Sequence, residues 1–326
     1  MVSIREIKEK GYIPQKTLMK MMVGGGLTLS KTLVFNLRDL KKLRHIPSDE
    51  ERYLRPKRPY EIPAFDPSMK MAKSNDKYLR ATLHCNHQEP EVVALAHKLG
   101  AYQLPDEEYV KNAFTFVKEQ MPLEIIPFNR VGETITRGTG TCIHLITVFI
   151  ALCRAACIKA RYKMFAMNMI QAWYDTTVDV DPLIKKWYDS MGYFMIEGEG
   201  EAYIDGKWVV AHVGPKAERQ AAAGIPITTF GEDSLGRWFT AIPGSIMFME
   251  SLPMGLGRAI QILKKIAPGS MERVNISIQK QIQRGKQVIE GHGSMEAYNR
   301  WAREKNTELK TPSMTLKERE EIVFEQ

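Results

Sequence analysis

Cysteine is scarce in this chain: Cys85, Cys142, Cys153 and Cys157 are the four among 326 residues. So sparse a set does not build a disulfide-stapled scaffold. Long apolar runs are missing too, none approaching the ~18 residues needed to cross a bilayer. The opening residues, "MVSIREIKEKGYIP", are charged and lack the apolar stretch of a secretory signal. The expectation is a cytoplasmic protein with reduced thiols. Metal-ligand spacing is equally thin. "HCNH", His84 to His87, has no second half. Cys153 and Cys157 lie one turn apart, and Cys142 lies ~16 Å up the same helix, so the three cannot share an ion. No metal and no other cofactor is expected.

What is present is ordinary in bulk and uneven in charge. Hydrophobic residues make up 44% and charged residues 26%, the balance of a globular domain. The net charge is +8, yet the first 80 residues hold 18 Lys+Arg against 9 Asp+Glu, and the remainder 28 against 29. All the excess positive charge belongs to the N-terminal quarter. That quarter also carries "RPKRPYEIPAFDP", Arg55 to Pro67, which reads as an extended strap. A basic segment of this kind would bind nucleic acid or a membrane surface, or pack on its own domain or a twin subunit; self-packing is the commoner outcome.

From Glu89 onward the pattern is helical. "EPEVVALAHKLG" and "PDEEYVKNAFTFVKEQM" show apolar residues at helical spacing with Gly or Pro at their limits. "PLEIIPFNRVGETITRGTGT" reads as a loop leading to Cys142, and "IHLITVFIALCRAAC" is apolar on nearly every face, so its helix should be central and buried. A thiol in the first turn of such a helix meets the positive end of the helix dipole, which favours thiolate. Cys142 is therefore the candidate nucleophile. Gly140 and Thr141 stand just before it as candidate substrate contacts. His144, two residues past the thiol, points ~160° away from it and ranks low as a base.

These residues resemble the cysteine helix of the transglutaminase-like superfamily: "GTGTC" opens the helix and "LCRAACIKAR" ends it, with Arg154 and Arg161 matching and Cys157 where that family usually has glycine. A second landmark is the hairpin "EGEGEAYIDGKWVVAHVG", Glu197 to Gly214, with Glu201, Tyr203, the Asp205-Gly206 turn and Trp208. The resemblance implies an α+β, papain-like fold, a buried cysteine helix on an antiparallel sheet, and acyl transfer through the thiol. It departs from the family at the catalytic partners. Where the family has histidine on the first strand and aspartate on the second, this chain has Glu197 and His212.

A two-residue turn at Asp205-Gly206 sets His212 opposite Glu199, and strand alternation puts Glu197, Glu199, Glu201, Tyr203, Trp208 and His212 on one face. That face is expected to look at Cys142. The catalytic set is then Cys142, with His212 taking its proton and Glu199, Glu197 or Glu201 holding the imidazole, Glu199 first. The same acids, opposite no Lys or Arg in the hairpin, suit a cationic substrate, and a proton-transfer reaction through Glu197, such as a cyclisation, is an alternative. Tyr203, Trp208 and Trp238 are further candidate substrate contacts.

The expected organisation is a basic extension over 1–80, a transglutaminase-like core over 81–245 and a helical extension over 246–326. The last offers packing, a lid or a homodimer interface. The expected function is cysteine-dependent acyl transfer on a small-molecule or peptide amide, ester or thioester, as hydrolase, transferase or cyclase. The competing readings are a scaffold that keeps the fold without catalysis, and a surface-binding protein acting through residues 1–80.

Overall fold

The computed structural model describes residues 51–169, 171–191, 194–233, 239–241, 246–252 and 258–305, with a few isolated positions between 27 and 44. Most of the basic segment before the strap, Trp238 and the tail "TLKEREEIVFEQ" lie outside the described residues. In chain order the elements are helices α1 (Pro90–Lys98), α2 (Asp106–Gln120), α3 (Val131–Arg137) and α4 (Cys142–Ala155), then strand β1 (Ala160–Met169). A short helix α5 (Gln171–Trp173) runs into a π-helical turn, Tyr174–Val178, and α6 (Pro182–Met191) follows. Next come β2 (Phe194–Ile204), β3 (Lys207–Ala211), α7 (Ala217–Ala222), β4 (Phe239–Ala241) and β5 (Met247–Met249), then α8 (Arg258–Ile266), α9 (Pro268–Gly291) and α10 (Met295–Lys305).

The sheet is antiparallel throughout, ordered β3-β2-β1-β4, with β5 also pairing with β1. It is an α+β fold, with the cysteine helix packed on an antiparallel sheet. Because β5 joins the sheet, the core draws on residues beyond 245. Among the described residues no helix is long and apolar enough to cross a membrane.

Helix α4 is the centre because nearly every side chain on it is apolar: the run His144 to Ala155 is buried without interruption. It packs on the small face of the β2–β3 hairpin. Ala202, Ile204, Ala211 and Val213 share one core with Leu145, Val148, Phe149 and Leu152. A Cβ added at Gly200 would sit 2.5 Å from Cδ1 of Phe149, so the strand needs glycine there for the helix to come this close. The Asp205-Gly206 turn has φ of 48° and 80°, the two positive values a type I′ hairpin requires. It pairs Ile204 with Lys207 and Tyr203 with Trp208, as expected.

The stretch read as a loop before Cys142 contains α3. Its sequence, VGETITR, has weak helix propensity; tertiary anchors hold it instead. The Glu89 carboxylate accepts the Gly132 N–H at 2.8 Å, and Gly138 closes the helix in the left-handed region at φ 81°.

Arg154 fastens the far end of α4. It is fully buried, and its guanidinium donates to Ala160 O at 3.2 and 2.9 Å, to Arg80 O at 3.0 Å and to Glu250 O at 2.8 Å. The helix then ends in a Schellman motif: Ile158 N–H bonds to Cys153 O at 3.0 Å and Cys157 N–H to Arg154 O at 3.0 Å. That motif places Cys157 at φ 64°, a conformation costly for any residue with a Cβ. Cys157→Gly is therefore expected to stabilise the fold by about 1 kcal/mol, read as a shift in chemical-denaturation midpoint at unchanged slope. An unchanged or lowered midpoint would refute the strain.

Candidate active site

The loop that presents Cys142 is pinned before the helix begins. Glu124 N–H bonds to Gly140 O at 2.8 Å, and Gly140 N–H to Pro122 O at 3.4 Å. The Glu124 carboxylate in turn takes Arg55 Nε at 3.0 Å and the Thr139 hydroxyl. From the strap, Arg58 donates to Thr136 O at 2.8 Å and packs against Gly138, and Tyr60 O–H donates to Ile135 O at 2.7 Å.

Thr141 then caps α4. Its hydroxyl accepts the His144 N–H at 3.4 Å, and its own N–H reaches His144 Nδ1 at 3.1 Å. His144 is thus a capping residue, held neutral by burial, which pushes its pKa down to about 3. The amides of Gly140 and Thr141 are both taken, so neither is open to a substrate. A Cβ at Gly140 would lie 2.4 Å from the His144 Cβ, which explains the glycine sterically. The donors left near the thiol are those that open the helix, at Cys142 and Ile143.

Cys142 is partly exposed at this helix start. The Glu197 carboxylate lies beside it, and its charge acts on the thiol. Glu197 Oε1 also accepts the N–H of Gly198 at 3.2 Å. Gly214 closes the site from the end of the hairpin: a Cβ built there would stand 3.4 Å from the Cys142 Cβ and 3.9 Å from Glu197 Oε1. Burial first, and the Glu197 charge second, push the Cys142 thiol well above its ordinary range. The helix dipole does not prevail, contrary to the expectation of a thiolate. Burial likewise lifts Glu197 to about 7, against the pull of Gly198 N–H, the thiol and Arg219. The resting pair at neutral pH is a thiol beside a carboxyl that is about half ionised.

The other expected partners are placed differently. The acidic face of β2 does not look at α4; the small face does, because glycine and alanine admit the helix and glutamates would not. Only at Glu197 does the acidic face reach the helix start. Along β1 the residues opposite the acids alternate Arg161, Lys163, Phe165 against Glu201, Glu199, Glu197. Glu201 accordingly pairs with Arg161 Nε at 2.6 Å, and Glu199 with Lys163 Nζ at 3.1 Å. Glu197 faces a phenylalanine. It is the acid of the three whose ladder partner carries no charge, and its carboxyl turns to the thiol.

This also corrects the expectation of a cationic substrate, which counted only residues of the hairpin. The sequence signal was the alternation in "ARYKMF", Ala160 to Phe165.

His212 is buried, its Nδ1 lying 3.3 Å from Thr228 Oγ1. Burial, with Lys118 and Lys163 nearby, holds its imidazole neutral. Lys118 itself is caged by His212 O, Pro215 O, Gln220 Oε1 and Thr228 Oγ1 at 3.0–3.3 Å.

Tyr203 and Trp208 meet at the hairpin tip with ring centroids 5.2 Å apart, where Trp208 stacks under the Arg161 guanidinium at 4.0 Å. That cluster lies ~20 Å along the strand from Glu197, too far to contact a group held at Cys142. The remaining cysteines have separate surroundings. Cys85 donates to Thr147 O at 3.8 Å, Cys153 is buried and Cys157 exposed.

Sequence reasoning passed over Arg219, on α7. It is buried, with its Nε donating to Gln281 Oε1 at 3.0 Å, and its positive charge favours the ionised form of Glu197.

The contact geometry separates two assignments for the thiol's partner. Glu197→Gln removes the group that takes the thiol's proton, so alkylation of Cys142 by iodoacetamide at pH 8 should slow by about tenfold or more. His212→Ala should change that rate less than threefold, a difference under about 0.7 kcal/mol. An unchanged rate in Glu197→Gln together with a large loss in His212→Ala would restore the histidine as partner.

Three comparisons with known proteins bear on this core. The model of the transglutaminase-like superfamily matches residues 93–212, a span that runs from α1 through the nucleophile helix to the end of β3. No curated protein matches the chain. A solved structure from Cytophaga hutchinsonii, described as a candidate cysteine protease, is 19% identical, with a TM-score of 0.32; the match covers 45% of this chain and 46% of that one. Residues 93–212 of this chain are thus similar to the transglutaminase-like superfamily.

Proposed function

We propose that the protein is a cysteine-dependent acyl-transfer enzyme in which Cys142 attacks an amide, ester or thioester carbonyl and Glu197 moves the protons. The observation that supports this reading is the placement of Cys142, partly open to solvent at the start of a buried helix, beside Glu197: a Cβ built on Gly214 would stand 3.4 Å from the Cβ of the one and 3.9 Å from the carboxylate of the other.

Because the thiol is raised, no preformed thiolate waits for substrate. The Glu197 carboxylate takes the proton as sulfur adds to the carbonyl carbon. The carbonyl oxygen becomes an oxyanion facing the first-turn amides of α4. The intermediate collapses, the leaving amine, alcohol or thiol takes the proton from Glu197, and a thioester to Cys142 remains. Water or an amine then adds, losing its proton to Glu197, and the sulfur departs and is reprotonated. A carboxyl at about 7 suits this exchange, since it is both a usable base and a usable acid at neutral pH. The same residue serves hydrolysis, transfer to an amine, or ring closure when the amine belongs to the substrate.

The test uses p-nitrophenyl acetate and follows nitrophenolate release together with an acetyl adduct on Cys142 by mass spectrometry. Glu197 acts as base only when ionised, so the acylation rate should rise with pH through about 7 and level above it. Glu197→Gln should lose roughly 10²–10⁴-fold and flatten that profile, and Cys142→Ala should form no adduct. His212→Ala should retain the inflection. If the wild type forms no adduct on Cys142 across pH 6–9, the acyl-transfer reading fails and the scaffold reading takes its place.

A further inference from the structure

The apolar spacing of α2 is broken at one point. Val110 and Phe114 face the core, and Lys118 is next in the same i, i+4 row, where helical periodicity calls for an apolar residue. Lys118 is 4% exposed. Among the described residues no carboxylate lies within ion-pair distance of it; Glu232, Glu119 and Glu218 act on it from further off. Burying an ammonium this way is costly unless all its donors are met. They are met by His212 O at 3.3 Å, Pro215 O at 3.0 Å, Gln220 Oε1 at 3.1 Å and Thr228 Oγ1 at 3.0 Å.

Two of these acceptors are backbone carbonyls, and they bracket Gly214. The β2–β3 ladder ends at the pair Gly200–Ala211. Carried three residues further, its register would set Gly214 opposite Glu197, but the chain has already left the strand. Gly214 has no side chain and Pro215 no N–H, so this stretch has little of its own to anchor it. Yet a Cβ built on Gly214 stands 3.4 Å from the Cys142 Cβ and 3.9 Å from Glu197 Oε1. The bare backbone of Gly214 is one wall of the site, and the carbonyls on either side of it are held by Lys118. The cage behind the lysine is itself fixed: Gln220 Nε2 donates to Pro226 O at 3.1 Å, and Gln220 Oε1 also accepts the Thr228 N–H at 3.3 Å.

We propose that Lys118 is a positioning residue of the acyl-transfer site: its ammonium holds the 212–215 segment so that Gly214 shields Cys142 and Glu197 from water. The inference rests on the roles proposed above for those two residues. An apolar side chain of the same length would fill the volume but leave two carbonyls without their donor, and the wall would relax.

The p-nitrophenyl acetate assay on two variants tests this, because they move the wall in opposite directions. Lys118→Met keeps the bulk and removes the donors. Water then reaches Glu197, whose inflection at about 7 is set first by burial. The inflection should fall by about one pH unit and the plateau rate by about tenfold. The sign is diagnostic, since loss of a positive charge by itself would raise that inflection. The other charges facing Glu197, from Cys142, Arg219 and Glu199, are unaltered in both variants, as are Glu232, Glu119 and Glu218 around the lysine and His212, which burial holds neutral. Gly214→Ala leaves the lysine in place and sets a methyl against Cys142. On a fixed wall the methyl dries the carboxyl further, so the inflection should rise and the rate fall by about tenfold; a segment free to shift would absorb it.

A Lys118→Met variant that melts earlier but keeps the wild-type rate and inflection has lost only a structural lysine and overturns the proposal, as does one whose inflection rises. If that variant does not fold, Gly214→Ala decides, and a wild-type rate and inflection there overturn the proposal equally. A wild type that forms no adduct on Cys142 removes the acyl-transfer reading and this inference with it.

Discussion

The close approach of α4 to the β2–β3 hairpin governs the rest of the molecule. Phe149 occupies the space that a side chain at Gly200 would fill, and alanines on both strands extend the same flat surface. A helix brought this near a sheet leaves no room for polar side chains between them. The glutamates of β2 must therefore lie on the far face, where β1 supplies their counter-charges. Only where the hairpin passes the helix start does an acid meet a residue of α4, and that acid is Glu197. The position of the thiol–carboxyl pair thus follows from steric exclusion along the length of the helix.

Electrostatically the site is the remainder after neutralisation. Two of three acids are cancelled across the sheet, His212 is kept neutral among lysines, and His144 is committed to the cap. What stays unbalanced is a carboxyl poised near neutrality, a protonated thiol and one guanidinium. The ordinary cysteine–histidine pair separates charge before substrate arrives. Here the resting state holds the proton on sulfur, and burial makes that arrangement the stable one.

The architecture was legible in the sequence because it is written in local signals: apolar periodicity for α1, α2 and α4, a two-residue turn for the hairpin, and a family spacing around Cys142. The site was legible only in part. Cys142 and Glu197 could be named, but their contact could not, since the hairpin was read without the strand beside it. Arg161 and Lys163 decide which glutamate is left over, and they belong to a ladder that only the fold assembles. Arg219 was invisible for the same reason: it is isolated in sequence and meaningful only beside Gln281, 62 residues away. Helix α3 was missed because its own residues do not favour a helix and its anchors lie elsewhere.

The strap carries a mechanical consequence. Arg55, Arg58 and Tyr60 hold Glu124, Gly138 and Ile135, and these in turn fix the loop that aims Cys142. This splint is made of three side chains that lie far from the thiol in sequence and touch none of the reacting groups. A substitution at Arg55, Arg58 or Tyr60 would therefore be felt in the backbone beside the nucleophile, and not in the chemistry of the thiol itself.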